Sequence, residues 1–205
     1  MAQQAGGIVL CGGKSSRMGR PKAWLPFGDE VLLQRVVRVL SDVVHPIVVV
    51  AAPDQEVPPL PADVALVRDD NEFLGPLNGL AAGLAALTGK VEVAYMSSCD
   101  VPFLRSAFVR RVIECIGENS IGIPETDGFR HPLAAAYRVD ILPLVLELLA
   151  AGQRRPAALT DRSPTRTLSR ADFHEVDPDL ESLRNVNTPE DYVAALNTAV
   201  PRPAP

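Results

Sequence analysis

The chain alternates short, continuous apolar runs with segments in which apolar residues recur at helical spacing. A strand buried on both faces of a parallel sheet is apolar at every position and rich in β-branched residues. Residues 46–52 fit this description, since Ile and Val occupy positions 47–50 without interruption. Applied along the chain, the pattern predicts strands at residues 6–10, 46–52, 64–67, 91–97, 121–124, 132–138 and 173–176.

Helices are predicted between these strands. Apolar residues at i, i+3, i+4 and i+7 define one face of a helix. Leu33, Val36, Val37 and Leu40 form such a face. Spacing and composition predict further helices at residues 79–88, 109–116 and 141–148, and one that begins at 189. Ser106, Asp140 and Thr188 are of residue types that cap helix N-termini, and we expect them to do so here.

Strands that alternate with helices favour successive βαβ units. The sequence therefore predicts an α/β fold, as a single three-layer α/β/α domain with a mostly parallel central sheet. We expect this domain to span residues 1–198, followed by a flexible tail at 199–205 that is rich in proline. Ligands of such folds bind beyond the carboxyl ends of the strands.

Composition and charge exclude several classes of protein. With 205 residues, 47% hydrophobic positions and a mean hydropathy of +0.10, the chain can bury a core and is not disordered. No apolar run approaches the ~20 residues that cross a bilayer, and the N-terminus does not resemble a signal peptide. A net charge of −5 argues against nucleic acid or membrane partners. Three cysteines without metal-ligand spacing indicate a reducing, cytoplasmic location.

A glycine-rich, cationic loop follows the first predicted strand. Gly12 and Gly13 allow backbone N–H groups to approach an anion closely. Lys14, Arg17, Arg20 and Lys22 concentrate positive charge in a net-acidic chain, and Arg17 and Lys22 are suited to neutralise phosphate oxygens. Neither the P-loop spacing nor the G-x-G-x-x-G pattern is present. The loop therefore predicts a polyphosphate site of another kind.

Asp100 directly follows the strand predicted at residues 91–97 and the Ser98–Cys99 pair. A carboxylate at the carboxyl end of a strand suits Mg²⁺, which prefers hard oxygen ligands and retains several waters. The alternative role of Asp100 is to cap the turn that contains Pro102.

These segments together resemble the nucleotidyltransferases that attach a nucleotide to molybdopterin. The loop matches the family pattern L-x-G-G-x-S-x-R-M-G-x-x-K from Leu10 to Lys22. Further similarities follow in the family's order: Asp69 ahead of Gly75-Pro-Leu, C-D-V-P-F at 99–103, H-P-L at 131–133 with Tyr137, and N-V-N-T-P-E-D at 185–191. The resemblance covers about residues 6–197 and is closest to the molybdenum cofactor guanylyltransferases.

The resemblance implies a Rossmann-like nucleotidyltransferase domain that transfers GMP from GTP to the phosphate of molybdenum-bound molybdopterin and releases pyrophosphate. Mg²⁺ is the implied cofactor. GTP and molybdopterin are the implied small-molecule substrates. Proteins that donate molybdopterin, and molybdoenzymes that accept the finished cofactor, are the implied protein partners.

The resemblance also implies roles for individual residues. It assigns catalysis to Arg17, Lys22 and Asp100, and metal binding to Asp100. It assigns nucleotide binding to Leu10, Cys11, Gly12, Gly13, Lys22, Asp69, Gly75 and Asp100. It assigns binding of the acceptor to His131, Asn185 and Asn187. Asp70 competes with Asp69 as the carboxylate that contacts the base.

Two alternative functions stay open at this point. Family members often carry an asparagine just after the second strand, where it helps to hold the base, whereas this chain has Val-Ala-Ala-Pro at 50–53. That absence weakens the case for guanine and leaves a cytidylyltransferase, or another nucleotidyltransferase of the same fold, as one alternative. The other alternative is a non-catalytic protein that binds nucleotide and delivers the cofactor.

Overall fold

A computed structural model describes residues 4–12, 18–69 and 75–199 of the chain. The strands are β1 (Ala5–Leu10), β2 (Pro26–Phe27), β3 (Glu30–Val31), β4 (Ile47–Ala51), β5 (Val64–Arg68), β6 (Val93–Ser98), β7 (Ile121–Thr126), β8 (Phe129–Arg130), β9 (Ala134–Arg138) and β10 (Thr165–Leu168). The α-helices are α1 (Leu32–Ser41), α2 (Pro76–Leu87), α3 (Ser106–Cys115), α4 (Leu142–Ala150) and α5 (Pro189–Ala199). Short 3₁₀ turns lie between several of these elements, including Lys22–Trp24 and Arg170–Phe173.

One sheet organises the fold, with strand order β10-β7-β9-β6-β1-β4-β5. Strands β6, β1, β4 and β5 are mutually parallel, and β7 and β10 are parallel to each other. Strand β9 runs antiparallel to both of its neighbours, β6 and β7. The small strand β8 extends β7 as a hairpin. The predicted α/β class with a mostly parallel sheet is confirmed.

Apolar layers cover both faces of this sheet. On one face, Val36 of α1 and Phe108 of α3 pack with Val49 and Tyr95 of the sheet. On the other face, α2 and α4 pack against residues such as Met96. Alternate residues of a strand point to opposite faces, so each central strand supplies both layers, which explains continuous apolar runs such as Ile47–Ala51. This arrangement is the predicted three-layer architecture.

A third apolar cluster lies beside the carboxyl end of the sheet. It joins Met18, Leu25 and Phe27 to Val186 and to Ala195 of α5. The cluster holds the segment after the glycine-rich loop against the C-terminal segment. No helix in the part of the chain that the structure describes has the length and apolarity needed to cross a bilayer.

Three local predictions were wrong. Residues 173–176 do not form a strand: Phe173 ends a 3₁₀ turn and is fully buried, and the last strand is β10 at Thr165–Leu168. Ser106 is the first residue of α3 and not its cap, because its hydroxyl donates to Asp42 and to the Val39 carbonyl. Asp140 lies in a 3₁₀ turn ahead of α4 and does not cap it.

Candidate active site

The candidate site lies at the carboxyl edge of the four parallel strands. Parallel strands end at the same edge of a sheet, so the segments that follow them come together there. Cys11 and Gly12 follow β1, Asp69 follows β5, and Asp100 lies two residues beyond β6. The loop after β4 brings Gln55 to the same edge.

Asp100 is the centre of a polar network. Ser98 Oγ donates to its Oδ1 at 2.6 Å, and Asn185 Nδ2 donates to the same oxygen at 2.8 Å. Lys22 Nζ lies 2.6 Å from Oδ2. The carboxylate is 11% exposed, so its charge is held in a largely water-excluded place by a cation and two neutral donors. A side chain that only capped the following turn would not need these partners.

Lys22 connects three distant parts of the chain. It begins a 3₁₀ turn, and its ammonium also donates to Asn187 Oδ1 at 2.8 Å. The turn is fixed in place because Leu25 and Phe27 are buried in the third apolar cluster. Four of the predicted site residues, Lys22, Asp100, Asn185 and Asn187, therefore form one connected group.

Backbone geometry explains why both asparagines reach this group. Asn185 and Asn187 are two positions apart in the segment that leads to α5, and their side chains reach Asp100 and Lys22, respectively. Val186 is buried and donates its N–H to the Asp100 carbonyl at 2.9 Å. Thr188 Oγ1 accepts from the Asp191 N–H at 3.1 Å, which confirms the predicted cap and fixes where the helix begins.

The buried carboxylate of Asp177 holds the preceding turn. It accepts hydrogen bonds from the backbone N–H groups of Glu181 at 3.1 Å and Ser182 at 2.8 Å. Ser182 in turn accepts from the Arg105 N–H at 3.1 Å. The turn that leads to Asn185 is thereby tied to the start of α3, so its path does not depend on a bound ligand.

A pocket of about 320 Å³ adjoins the Asp100 network. Its polar lining includes Ser98, Asn185 and His131, together with two arginines, Arg130 and Arg155. Its remaining lining is mostly apolar: Pro76, Val101, Pro132, Leu133, Ala134, Pro156, Ala157 and Leu183, with Ser182. A cavity of this kind suits a flat, partly apolar ligand that carries an anionic group.

Two arginines line the pocket, and they differ in their hydrogen-bond and ion-pair partners. Arg130 is engaged by Glu125 at 3.3 Å, by Thr160 and by Asp161 at 3.8 Å. The guanidinium of Arg155 makes no hydrogen bond or ion pair with any residue that the structure describes. His131 Nε2 lies 2.7 Å from Thr126 Oγ1, and burial lowers the pKa of the His131 imidazole. No sequence motif pointed to Arg155.

Asp69 lies at the other end of the edge, after β5, whereas Gly75 directly precedes Pro76 of the pocket lining. Asn78 of α2 donates to Asp69 Oδ1, and the Asp69 N–H donates to the Ala51 carbonyl at 2.9 Å. Gly75 precedes α2 with a φ of +88°, and a Cβ there would lie 2.8 Å from the Arg154 carbonyl oxygen. Glycine is thus required by both conformation and space.

The loop after β4 carries a residue that sequence analysis missed. Gln55 Nε2 donates to the Cys11 carbonyl at 2.8 Å, and Gln55 Oε1 accepts from the Ala52 N–H at 3.4 Å. The loop itself is held because Arg68 donates to the carbonyls of Ala52 and Gln55. A carboxamide is therefore present at this edge, although residues 50–53 supply none.

The two cysteines beside the site are buried, and burial makes both thiols weaker acids. The pKa of Cys11 is raised to about 11, and that of Cys99 lies well above its ordinary value. A thiol with a raised pKa is a poor nucleophile at neutral pH. Cys11 and Cys99 therefore act as small packing residues.

Several predicted residues lie outside the described part of the chain, namely Gly13, Arg17 and Asp70. Leu10, Cys11, Gly12, Asp69 and Gly75 lie at the expected edge. His131 and Asn185 both line the pocket, and the hydrogen bond recorded for the His131 ring is to Thr126, not to Asn187.

The donor set around Asp100 fits a Mg²⁺ ion. Mg²⁺ in proteins is typically held by one or two carboxylates, with water and substrate phosphates completing its coordination. Asp100 supplies one hard oxygen donor, and the side-chain oxygen of Asn187 accepts from the same Lys22 ammonium that contacts Asp100. Within residues 4–12, 18–69 and 75–199, no group of three or more His, Cys, Asp or Glu residues is placed to form a metal site without substrate.

Comparison with known proteins places this geometry in a family. Residues 7–167 match the MobA-like NTP transferase domain. A Mycobacterium bovis (strain BCG / Pasteur 1173P2) protein named "Probable molybdenum cofactor guanylyltransferase" is 39% identical over an alignment of length 189, and the match covers 89% of this chain and 88% of that protein.

Solved structures share the fold. Molybdopterin-guanine dinucleotide biosynthesis protein A from Archaeoglobus fulgidus has a TM-score of 0.77 at 20% identity, over 94% of this chain and 97% of that one. The Mycobacterium tuberculosis H37Rv protein Rv0371c, in a complex with manganese, has a TM-score of 0.67 at 17% identity, over 95% of this chain and 99% of that one. From the matched residues and the identity to its relatives, this chain belongs to the family of MobA-like NTP transferases.

Proposed function

We propose that the protein transfers GMP from GTP to the phosphate of molybdenum-bound molybdopterin and releases pyrophosphate, in the biosynthesis of the guanine dinucleotide form of the molybdenum cofactor. The observation that carries this proposal is the connected group of Lys22, Asp100, Asn185 and Asn187 beside a pocket with cationic and apolar sides. The name of the 39% identical relative supports the choice of substrates.

The reaction requires positioning and charge neutralisation more than covalent chemistry. An oxygen of the acceptor phosphate attacks the α-phosphorus of GTP and forms a new P–O bond. The bond from the α-phosphorus to the bridging oxygen breaks, and its electron pair leaves with pyrophosphate. Lys22, together with Arg17, neutralises the oxygens of the leaving group.

Asp100 would hold a Mg²⁺ ion, with Asn185 and Asn187 near its coordination sphere. When bound, such an ion neutralises phosphate oxygens and stabilises the charge of the transition state. The manganese complex of the structural neighbour supports a divalent ion. Ser98 and Asn185 keep the carboxylate oriented through their hydrogen bonds to its Oδ1.

The pocket beside Asp100 would receive the acceptor. Its apolar lining suits the flat pterin rings, and Arg155, His131 and Asn185, which line the pocket, would meet the polar groups of the acceptor, with Asn187 held nearby by Lys22. Because the pKa of His131 is lowered, we assign it a hydrogen-bonding role at neutral pH and assign the charge that meets the acceptor phosphate to Arg155. The base of GTP would lie at the opposite end of the edge, with Asp69 accepting from the guanine N–H groups.

We place the reaction in the cytoplasm, where three unpaired cysteines persist as thiols. Proteins that donate molybdopterin and molybdoenzymes that receive the product are the partners this function requires.

The decisive experiment measures pyrophosphate release with Mg²⁺, molybdenum-loaded molybdopterin and each of GTP, CTP, ATP and UTP. We expect release with GTP, and a loss of about a hundredfold or more in Asp100→Asn. Asp63→Asn changes an exposed aspartate far from the site and should retain activity. Release with CTP in place of GTP would identify a cytidylyltransferase. No release with any nucleotide would identify a non-catalytic carrier.

A further inference from the structure

We propose that Gln55 selects the nucleobase by presenting an N–H donor to the keto oxygen O6 of guanine. This proposal rests on the proposed function and adds a residue that neither the sequence motifs nor the family membership assigns. Its starting observation is a carboxamide that reaches the carboxyl edge of the sheet from the loop after β4.

The position of Gln55 along this edge favours contact with the base. Asp100 and Lys22, proposed to hold the phosphates, lie at the end of β6, and the strand order from there is β6-β1-β4-β5. Strands are spaced by about 4.8 Å, so the ends of β6 and β5 are separated by roughly 14 Å. A nucleotide that extends from Asp100 toward Asp69 must pass the loops after β1 and β4.

The loop that carries Gln55 is built before any ligand binds. Arg68 donates to the carbonyls of Ala52 and Gln55 from below the loop. Trp24, two residues after Lys22, donates its indole N–H to the Glu56 carbonyl at 3.1 Å. These contacts hold Gln55 against Gly12, where a Cβ on the glycine would lie 3.9 Å from Gln55 Oε1.

The hydrogen bonds of Gln55 determine which end of its amide faces which neighbour. A backbone carbonyl only accepts and a backbone N–H only donates. Nε2 must therefore face the Cys11 carbonyl, and Oε1 must face the Ala52 N–H. Nε2 carries two N–H groups, and the second has no partner among the residues that the structure describes.

A remaining donor distinguishes keto bases from amino bases. Guanine presents the acceptor O6 at the position where adenine has an amino donor, and cytosine likewise presents an amino donor at N4. An N–H of Gln55 that meets O6 makes a hydrogen bond, whereas one that meets an amino group leaves two donors opposed. Gln55 thus supplies a reason to select GTP over CTP that the Val-Ala-Ala-Pro sequence at 50–53 lacks.

The test compares GTP with 6-thio-GTP, which differs only by sulfur, a weak acceptor, at position 6. Binding to the full-length protein is measured by calorimetry with Mg²⁺. We expect wild type to prefer GTP by about fivefold to tenfold, the effect of one hydrogen bond. Gln55→Leu should weaken GTP binding by that factor and remove the preference for GTP over 6-thio-GTP. Gln55→Glu, which replaces the donor by an acceptor, should weaken GTP binding further.

Gln34→Leu is the matched control, because Gln34 also donates to a backbone carbonyl, that of Pro59, away from the site. It should keep the preference for GTP, and thermal melting checks that each variant folds. If Gln55→Leu weakens both nucleotides equally, Gln55 only supports the Cys11 loop and the proposal is wrong. Tighter binding of CTP than of GTP by wild type would instead overturn the guanylyltransferase function, and the role of Gln55 with it.

Discussion

The ammonium of Lys22 lies 2.6 Å from Oδ2 of Asp100, so the cation proposed to bind phosphate is the counter-ion of the carboxylate proposed to bind metal. The two side chains are 17% and 11% exposed, and water therefore screens their attraction only in part. A metal ion and Lys22 must compete for the same carboxylate oxygen. Under the proposed function, nucleotide phosphates would offer Lys22 another anionic partner, and metal binding would then be coupled to nucleotide binding.

Removing the Lys22 charge should therefore strengthen metal binding in the absence of nucleotide. We expect Lys22→Met to bind Mn²⁺ alone about tenfold more tightly than wild type, because the competing cation is gone. The same variant should lose most GMP transfer, since the leaving group is no longer neutralised. Electron paramagnetic resonance of free Mn²⁺ measures the first effect. Lys90→Met, at an exposed lysine, is the control, and unchanged Mn²⁺ affinity in Lys22→Met would contradict the competition.

Arg155 should contribute to acceptor binding and not to nucleotide binding. A hydrogen bond to an anionic group contributes more than one between neutral groups. We expect Arg155→Met to raise the KM for the acceptor about tenfold or more, with kcat and the KM for GTP nearly unchanged. Arg154→Met is a close control, because the neighbouring guanidinium bonds the Leu149 and Gln153 carbonyls instead of lining the pocket. Equal effects of the two variants would remove Arg155 from the acceptor site.

The close approach of Gly75 to the Arg154 carbonyl oxygen should affect the free energy of unfolding of variants with a side chain at position 75. Gly75 and Gly89 both have positive φ, at +88° and +74°, but only Gly75 faces a backbone oxygen at close range. Alanine is strained at any positive φ, and at Gly75 the ψ of 173° adds to the strain because that backbone region is open essentially to glycine alone. We expect Gly75→Ala to cost about 1–3 kcal/mol more than Gly89→Ala, because overpacking against Arg154 and the backbone strain at Gly75 act together. Urea unfolding of the two variants gives this difference, and equal losses would show that the Arg154 segment moves aside freely.

Periodicity was sufficient to predict the central strands and the sheet they form. Strands such as β4 are buried on both faces and therefore have a continuous apolar pattern. Strand β10 was missed because it lies at the edge of the sheet, where Thr165 and Arg166 are not required to be apolar. The strand predicted at residues 173–176 was wrong because Phe173 is apolar for another reason. Its ring is buried by packing on Phe108, with ring centroids 4.5 Å apart, and not by strand pairing.

The site required information that periodicity does not contain. Lys22 and Asn187 are 165 positions apart, and only the recognised motifs suggested that they act together. Gln55 was missed because a carboxamide was sought directly after the strand, whereas the loop folds back and delivers it three residues later than Ala52. Arg155 belongs to no motif, and only the closing of the pocket around it reveals its position.

The lowered pKa of His131 should appear in the pH dependence of stability. Burial disfavours the charged imidazolium, so the folded protein binds this proton less readily than the unfolded chain, whose ordinary pKa is 6.5. The contribution of the neutral side chain is complete above that value and is lost as pH falls from it through the lowered folded pKa. His131→Asn cannot titrate. The melting temperature of wild type relative to this variant should therefore fall between pH 7.5 and 5.5, whereas carboxyl titrations common to both proteins cancel. The same substitution at His45, whose side chain is 70% exposed, controls for replacing a histidine elsewhere. A constant difference across this pH range would show that His131 is protonated as readily in the folded protein as in the unfolded chain.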